Sequence, residues 1–371
     1  MRPTTYITAA SHRFVAILAF GIATLYLTGC SGKINDTLRK DVLDSLAYKV
    51  IIPAFQDLNQ EAVLLKQTVE KFVDQPTSEH LDEARAQWRR TAGAWKRASN
   101  YTFGPIEDQF LSGGIYYASV HESNIEKTIR SSEDFDESSI NAVGSSLKGL
   151  RAVEYLLFKS ESPEQLLADY KQEPRRGRYL LALVQNLNRQ TEKVLELWTA
   201  GSAPYVQTFI TATGRELNSS LSIVVNKCIQ QINFIRDERL GMPMGAKQDQ
   251  SPRPDLVEGT LSNTSLYLVR NELQSVHNCF QKGGAPLLNA LLDDMNATYD
   301  GQALSTKIND QFETIYQSIE TLPSGLENTI VTNRNEIEKL YDQMKRLQIL
   351  LEVDVVNHLG IILTFSDNDG D

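Results

Sequence analysis

The sequence lacks an excess of positive charge, because 37 Lys and Arg residues stand against 47 Asp and Glu residues and leave a net charge of −10. Nucleic-acid phosphates would be repelled by such a chain, so we expect no nucleic-acid partner. No long stretch alternates apolar and polar residues with a period of two, so no major sheet is predicted. The 41% of hydrophobic residues is nevertheless enough for a sizeable core.

Cysteine is scarce, with three residues in the whole chain, Cys30, Cys228 and Cys279. Cys228 and Cys279 each fall in a helical apolar pattern, so a pair of buried free thiols is one interpretation. A disulfide between them is the other, since an oxidising compartment would permit it. The sequence leaves both states open.

An apolar stretch at residues 14–27 is short for a membrane span and follows a positively charged start. It predicts a signal peptide over residues 1–29, with an uncleaved membrane anchor as the alternative. The run Leu-Thr-Gly-Cys that ends at Cys30 resembles a bacterial lipobox, which predicts cleavage before Cys30 and lipidation of its thiol. We therefore expect a lipid-anchored protein of the bacterial cell envelope. Ser31, rather than an acidic residue, follows the cysteine and favours the outer membrane, facing the periplasm or the cell surface.

Apolar residues recur with a helical period along most of the remaining chain, including one long stretch at residues 205–238. A Gly-Ser-Ala-Pro joint at 201–204 separates residues 30–200 from residues 201–371. Each part holds about four long helices, so we expect an all-α protein of two packed helical bundles. The similar segments SLKGLRAVE and SLYLVRNE, one in each part, indicate a possible pseudo-repeat.

The helix predicted over residues 149–158 carries charge on its apolar side. On a helical wheel Glu154 falls inside the apolar stripe, and Arg151 falls at its edge. A buried carboxylate must be paired, protonated or bound to a cation, and Arg151 is within reach three residues earlier. The two residues therefore form either a structural ion pair or part of a ligand site.

A second group of candidates lies at a predicted helix start in the second half, where Arg270 accompanies Ser262, Ser265 and Asn271. An arginine in such a position could bind an anion or pair with a carboxylate of the first half. An ordinary hydrogen bond between helices is the alternative interpretation.

Three further residues are candidates because of their neighbours. Glu107 and Asp108 follow a Phe-Gly-Pro break and could line a site, although exposed acids are common in such breaks. His121 is the best candidate for a histidine metal ligand, since Glu122 and Glu126 follow it closely. A lone histidine is more often a surface residue or a satisfied interior one.

Five blocks of the sequence resemble, in order, those of the imelysin family. The stretch GLRAVEYLLF resembles the family's Gly-x-His-x-x-Glu signature, and Gly149 and Glu154 match it. The other four blocks resemble an early tryptophan helix, a Leu-x-x-Pro-x-Gly loop, a Ser-rich helix start and an Asp-Gly-Asp ending; they read ARAQWRRTAGAWKRASNYTFGP, RLGMPMG, SNTSLYLVRNEL and LGIILTFSDNDGD.

The resemblance implies an all-α, two-bundle envelope protein of a family that is classed with metallopeptidases and associated with iron uptake. It also implies that Glu154 is a ligand of a divalent metal ion such as iron or zinc. Arg151, however, stands where the family has histidine, and arginine stays protonated and is not a normal metal ligand. The chain also lacks the His-Glu-x-x-His spacing of ordinary zinc peptidases.

These observations lead to one expected function and two alternatives. We expect a binding protein that serves the uptake of iron or another metal, in contact with metal-uptake machinery, with its site between the two bundles near Arg151 and Glu154. A divergent metallopeptidase is the first alternative. The second is a lipoprotein that binds a partner and whose inherited site has become a structural salt bridge.

Overall fold

The computed structural model describes residues 35–131, 134–160, 162–246, 251–323 and 325–364. The predicted signal peptide and the lipidation site at Cys30 lie outside the described residues, as does the acidic end of the chain. Among the described residues, none of the helices has the length and apolar character that a membrane crossing requires.

Helices dominate the described chain, as the apolar periodicity predicts. The first half contains α1 (Asp36–Ser45), α2 (Ile52–Asp74), α3 (Ser78–Ala98), α4 (Pro105–Asp108), α5 (Ser112–Ile115), α6 (Glu122–Arg130), α7 (Glu137–Ala142), α8 (Gly149–Phe158), α9 (Pro163–Gln172) and α10 (Pro174–Thr199). The second half contains α11 (Tyr205–Thr211), α12 (Ser220–Phe234), α13 (Met242–Met244), α14 (Ser265–Phe280), α15 (Leu288–Asp294), α16 (Leu304–Thr321), α17 (Leu326–Thr332), α18 (Arg334–Ile349) and α19 (Val356–Leu359).

Shorter elements interrupt the α-helices. Within the described ranges, three segments are π-helical, namely Leu46–Ile51, Ile235–Gly241 and Leu350–Val355, and three are 3₁₀ turns, namely Ser99–Tyr101, Ser145–Leu147 and Pro254–Leu256. The strands in the described chain, β1 (Thr298–Tyr299) and β2 (Gln302–Ala303), form a two-residue antiparallel hairpin. The expectation of an all-α fold is therefore confirmed.

The prediction of one continuous helix over residues 205–238 is wrong. Helix α11 ends at Thr211, and α12 begins only at Ser220. Ser219 is the N-cap of α12, and its side chain accepts a hydrogen bond from the backbone of Ser222. A serine at this position satisfies one of the free amide groups at a helix start, so it favours a new helix over continuation of the old one.

The two halves meet through a central group of helices. Helix α3 packs against α2 and α8 from the first half and against α14 from the second half. Trp88 of α3 is fully buried, and its Nε1 donates a hydrogen bond of 2.8 Å to the carbonyl oxygen of Leu150. This contact fixes the start of α8 against α3. The two-bundle pseudo-repeat is not confirmed, and the division at residues 200 and 201 stays a prediction.

Candidate functional site

The start of α8 depends on a glycine. Gly149 adopts a φ of +71°, and a Cβ atom at this position would lie 2.6 Å from the carbonyl oxygen of Ile115. A side chain would therefore be strained both by its own backbone and by the neighbouring segment. With Gly149 and the Trp88 hydrogen bond in place, the next turn of α8 directs Glu154 into the interior.

Glu154 is fully buried, and both of its carboxylate oxygens are occupied. The hydroxyl of Ser262 donates to Oε1 over 2.6 Å, and the backbone N–H of Ser262 donates to the same oxygen over 3.2 Å. Arg151 donates from Nη1 to Oε2. These donors compensate the loss of water around a buried negative charge.

A second set of buried charges lies close to this pair. The Lys96 ammonium is 2% exposed and donates to Glu272 Oε1 over 2.7 Å and to Glu258 Oε2 over 3.0 Å. Arg239 approaches the same two carboxylates at 3.2 Å and 3.3 Å. The hydroxyl of Tyr116 donates to Glu258 Oε1 over 2.6 Å. Two cations thus balance two carboxylates in a single buried network.

Glu258 and Arg151 are charged at neutral pH. Burial by itself would raise the pKa of Glu258, but Arg239, Lys96 and Arg151 nearby lower it to about 2. Burial lowers the pKa of Arg151, yet Tyr116 and the carboxylates of Glu154 and Glu258 outweigh that effect and leave it raised. Glu258 and Arg151 therefore take part in ion pairs and not in neutral hydrogen bonds.

A cavity of about 610 Å³ opens onto these residues. Its walls include Arg151, Glu154 and Arg239, together with residues 118–122, 255–258, 260 and 261. Among the charged residues that line it, two are arginines and five are acids: Arg151, Arg239, Glu122, Glu154, Glu238, Asp255 and Glu258. The volume is within the range of small-molecule sites in proteins.

The structure brings some of the predicted site residues together. Arg151, Glu154 and Ser262 form one hydrogen-bonded group, and His121 lines the same cavity from an exposed position. Ser265 lies one turn further along the chain, and its hydroxyl accepts a hydrogen bond from the backbone of Leu326. Ser265 therefore positions α17 and is not among the residues that line the cavity.

The other predicted residues lie elsewhere. Arg270 is partly exposed, lies 3.8 Å from Glu320 and stacks over the ring of Tyr316. Asn271 accepts a hydrogen bond of 2.5 Å from Arg97. Glu107 pairs with Lys227 over 3.0 Å, and Asp108 is exposed. None of these four predicted residues is among the described residues that line the cavity.

The sequence analysis missed the residues of the buried network, namely Lys96, Tyr116, Arg239, Glu258 and Glu272. Lys96 follows Trp95 in the tryptophan helix, and Arg239 begins the RLGMPMG block. Glu272 ends the segment that echoes the Arg151 region. A helical wheel of α14 would have detected Glu272, because it shares the buried face of that helix with Leu268 and Val276.

The residues present do not fit the metal ion that the resemblance implies. Among the described residues, no group of three or more His, Cys, Asp or Glu side chains is arranged to hold a metal ion. Glu154, the one signature ligand retained, already accepts hydrogen bonds on both oxygens, and one donor is a guanidinium. A divalent cation at Glu154 would have to displace Arg151, and the part of the chain that the structure describes has no set of three such side chains to hold it.

Comparison with known proteins places this site in a family. The family model described as Peptidase_M75: Imelysin matches residues 51–351. The chain belongs to the imelysin family. Iron-regulated protein A of Synechococcus elongatus is 20% identical to this imelysin over 332 residues, which cover 87% of this chain and 86% of that protein.

Solved structures show the same fold. An imelysin-like protein from Psychrobacter arcticum superimposes with a TM-score of 0.75 at 15% identity, over 90% of this chain and 98% of that one. A second solved structure, of a protein from Parabacteroides distasonis, gives a TM-score of 0.73 at 17% identity, over 88% of this chain and 96% of that one. The fold of this imelysin is thus shared by proteins of low sequence identity.

Proposed function

We propose that this imelysin is a lipid-anchored envelope protein that binds chelated iron in the cavity at Arg151 and Glu154 and does not hydrolyse peptides. The family and the curated relative named Iron-regulated protein A support a role related to iron. The observation that carries the proposal is the Arg151–Glu154 pair. Arg151 takes up the one signature carboxylate that remains, and the described residues contain no ligand set for a catalytic metal ion.

The proposed ligand of the cavity is an iron chelate and not a bare ion, because the chelating molecule supplies the donor atoms that coordinate the iron. A bare iron ion would need several oxygen or nitrogen donors from the protein, and the described residues supply no such group. The cavity instead offers hydrogen-bonding and charged groups on its walls, with more acids than arginines. A neutral or positively charged chelate fits this balance better than a negatively charged one.

Calorimetry with two iron chelates tests the binding proposal. We expect a ferric trihydroxamate, which is neutral, to bind saturably and at least about tenfold more tightly than the anionic ferric citrate, a difference near 1.4 kcal/mol. The variant Leu261→Trp, which places a large side chain at the cavity mouth, should abolish binding. Leu217→Trp is the matched control, since Leu217 is similarly exposed and is not among the residues that line the cavity.

Absence of saturable binding by both chelates would contradict the proposed ligand. Binding that survives Leu261→Trp would contradict the proposed location.

The absence of peptidase activity is tested separately. We expect the protein to show no casein-cleaving activity that is inhibited by a metal chelator. Cleavage that is lost with chelation and with Glu154→Gln would instead support the divergent metallopeptidase.

The envelope location depends on Cys30, which lies outside the described residues. We expect the expressed protein to partition into the detergent phase, because the Cys30 thiol accepts the lipid. The variant Cys30→Ala should remain in the aqueous phase or keep its signal peptide. Equal partitioning of the two proteins after export would contradict lipidation.

A partner-binding lipoprotein is the second candidate. Its support is the completeness of the ion pair: Glu154 is fully buried and held by Ser262 and Arg151, as a purely structural salt bridge would be. Failure of both chelates to bind, together with stable association with an envelope protein in cross-linking, would favour it.

A further inference from the structure

Three chain segments contribute to two successive levels of the interior. At the first level, beside the cavity that Arg239 lines, the buried ion network contains Lys96 of α3, Glu272 of α14 and Arg239 of the π-helical continuation of α12. At the second level the same segments supply Asn100, Cys279 and Cys228. Asn100 follows Lys96 by one helical turn, and Cys279 follows Glu272 by two turns and therefore lies on the same face of α14.

The two thiols of the second level share one donor. The Asn100 Nδ2 atom lies 3.5 Å from Cys228 Sγ and 3.8 Å from Cys279 Sγ. Both cysteines are free and fully buried, and Asn100 is 3% exposed. Because a single amide nitrogen lies within 3.8 Å of both sulfur atoms, the two thiols lie in one neighbourhood where α12 packs against α14.

We propose that Cys228 and Cys279 are a redox-responsive pair that a low-molecular-weight disulfide oxidises to an internal disulfide, which joins α12 to α14 covalently. One cysteine attacks the oxidant's S–S bond, forms a mixed disulfide and releases one small thiol. The second cysteine then attacks the mixed disulfide at the protein sulfur, and the second small thiol leaves. Two thiol groups of the protein are oxidised, and the oxidant is reduced to two thiols.

Burial controls the rate of this reaction. The thiolate is the attacking species, and burial raises the pKa of Cys279 well above its ordinary value. No oxidant can reach a fully buried sulfur without a local opening of the helices. We therefore expect slow oxidation of the folded protein that accelerates in urea below the unfolding transition.

The experiment uses the full-length chain with Cys30→Ala, so that the remaining cysteines are Cys228 and Cys279. The folded protein is incubated with oxidised glutathione at several sub-denaturing urea concentrations, and free thiols are then alkylated under denaturing conditions and counted by mass spectrometry. We expect two alkylated cysteines before oxidation and none afterwards, with the protein monomeric and its midpoint of thermal unfolding raised. Dithiothreitol should reverse both changes.

Two matched variants distinguish an internal disulfide from other oxidation. Cys228→Ala and Cys279→Ala, each in the Cys30→Ala chain, should show no rise in the unfolding midpoint with oxidant. Two alkylatable thiols after prolonged incubation, glutathione retained on each cysteine, or disulfide-linked dimers would each overturn the proposal. The result is independent of the chelate-binding experiment, because it requires no iron chelate.

Discussion

The Arg151 guanidinium and the Glu154 carboxylate lie one helical turn apart on α8 and form a direct ion pair, with Glu154 fully buried and the Arg151 side chain 16% exposed. Ser262, from the segment before α14, donates to the other oxygen of the same carboxylate. The contact between Ser262 and Glu154 thus joins the two halves of the chain at the stretch that resembles the family's signature. The ion pair's contribution to stability and its effect on metal binding can both be measured.

Replacement of Arg151 by methionine should leave the Glu154 charge buried with Ser262 as its remaining partner. Breaking a buried pair costs about 3–5 kcal/mol, so we expect a loss of this size in the free energy of unfolding measured with urea. The double variant Arg151→Met with Glu154→Leu should recover much of the loss, since Ser262 keeps Gly259 and Thr264 as partners. A change below about 1 kcal/mol in the single variant would show that the pair behaves as an exposed one.

Restoring the signature histidine should not by itself create a tight metal site. In Arg151→His the new imidazole and Glu154 would supply two ligands, whereas Glu258 is held by Lys96, Arg239 and Tyr116. Zinc sites in proteins generally use at least three protein ligands. Titration of the variant with zinc and a competing chelator should give the same zinc affinity as the wild type. A submicromolar zinc affinity of the variant would contradict the conclusion that Glu258 is held within the network and does not act as a third ligand.

The buried network should tolerate the loss of Lys96 poorly. Lys96→Met leaves Glu258 and Glu272 with Arg239 as their shared cation, so we expect a loss of about 3–5 kcal/mol in the free energy of unfolding. Lys227→Met is the matched control, because its partner Glu107 is 58% exposed and such pairs contribute under about 1 kcal/mol. Equal effects of the two substitutions would contradict the assignment of Lys96 to a buried network.

Acid should destabilise the protein partly through Glu126. A hydrogen bond from Arg176 lowers the pKa of this carboxyl to about 2, although burial opposes the shift, and the hydroxyl of Tyr155 also donates to it. Because the folded-state pKa is depressed, the stabilisation is complete above the unfolded-state pKa of about 4.3 and is lost as the pH falls towards 2. Its upper limit is about 3 kcal/mol at 1.36 kcal/mol per pKa unit, and solvent screening of this partly exposed carboxylate reduces that value.

The check is urea unfolding between pH 6 and pH 2.5. Glu126→Gln should flatten the decline in unfolding free energy below about pH 4.5. Tyr155→Phe, which removes one of the hydrogen bonds, should give an intermediate slope. If the three proteins decline in parallel, another carboxylate accounts for the acid sensitivity.

The sequence alone determined the helical class and the position of Glu154. Both depend on apolar periodicity within a single helix, where spacing along the chain fixes which side chains share a face. For the same reason the sequence placed Arg151 within reach of Glu154, since the two are only three residues apart. Gly149 and Glu154 were also recognisable as parts of a family signature.

Only the tertiary structure decided which distant residues complete the site. Ser262 and Arg270 are both polar residues near the start of α14, yet Ser262 binds Glu154 and Arg270 pairs with Glu320 on the outside. Separate segments of the chain supply the charged residues of the buried network, namely Lys96, Arg239, Glu258 and Glu272. No local sequence pattern predicts that these residues come into contact. Their meeting follows from the packing of α3 against α14, which depends on the shapes of whole helix faces. Charges buried by that packing then had to be paired, because water could no longer solvate them.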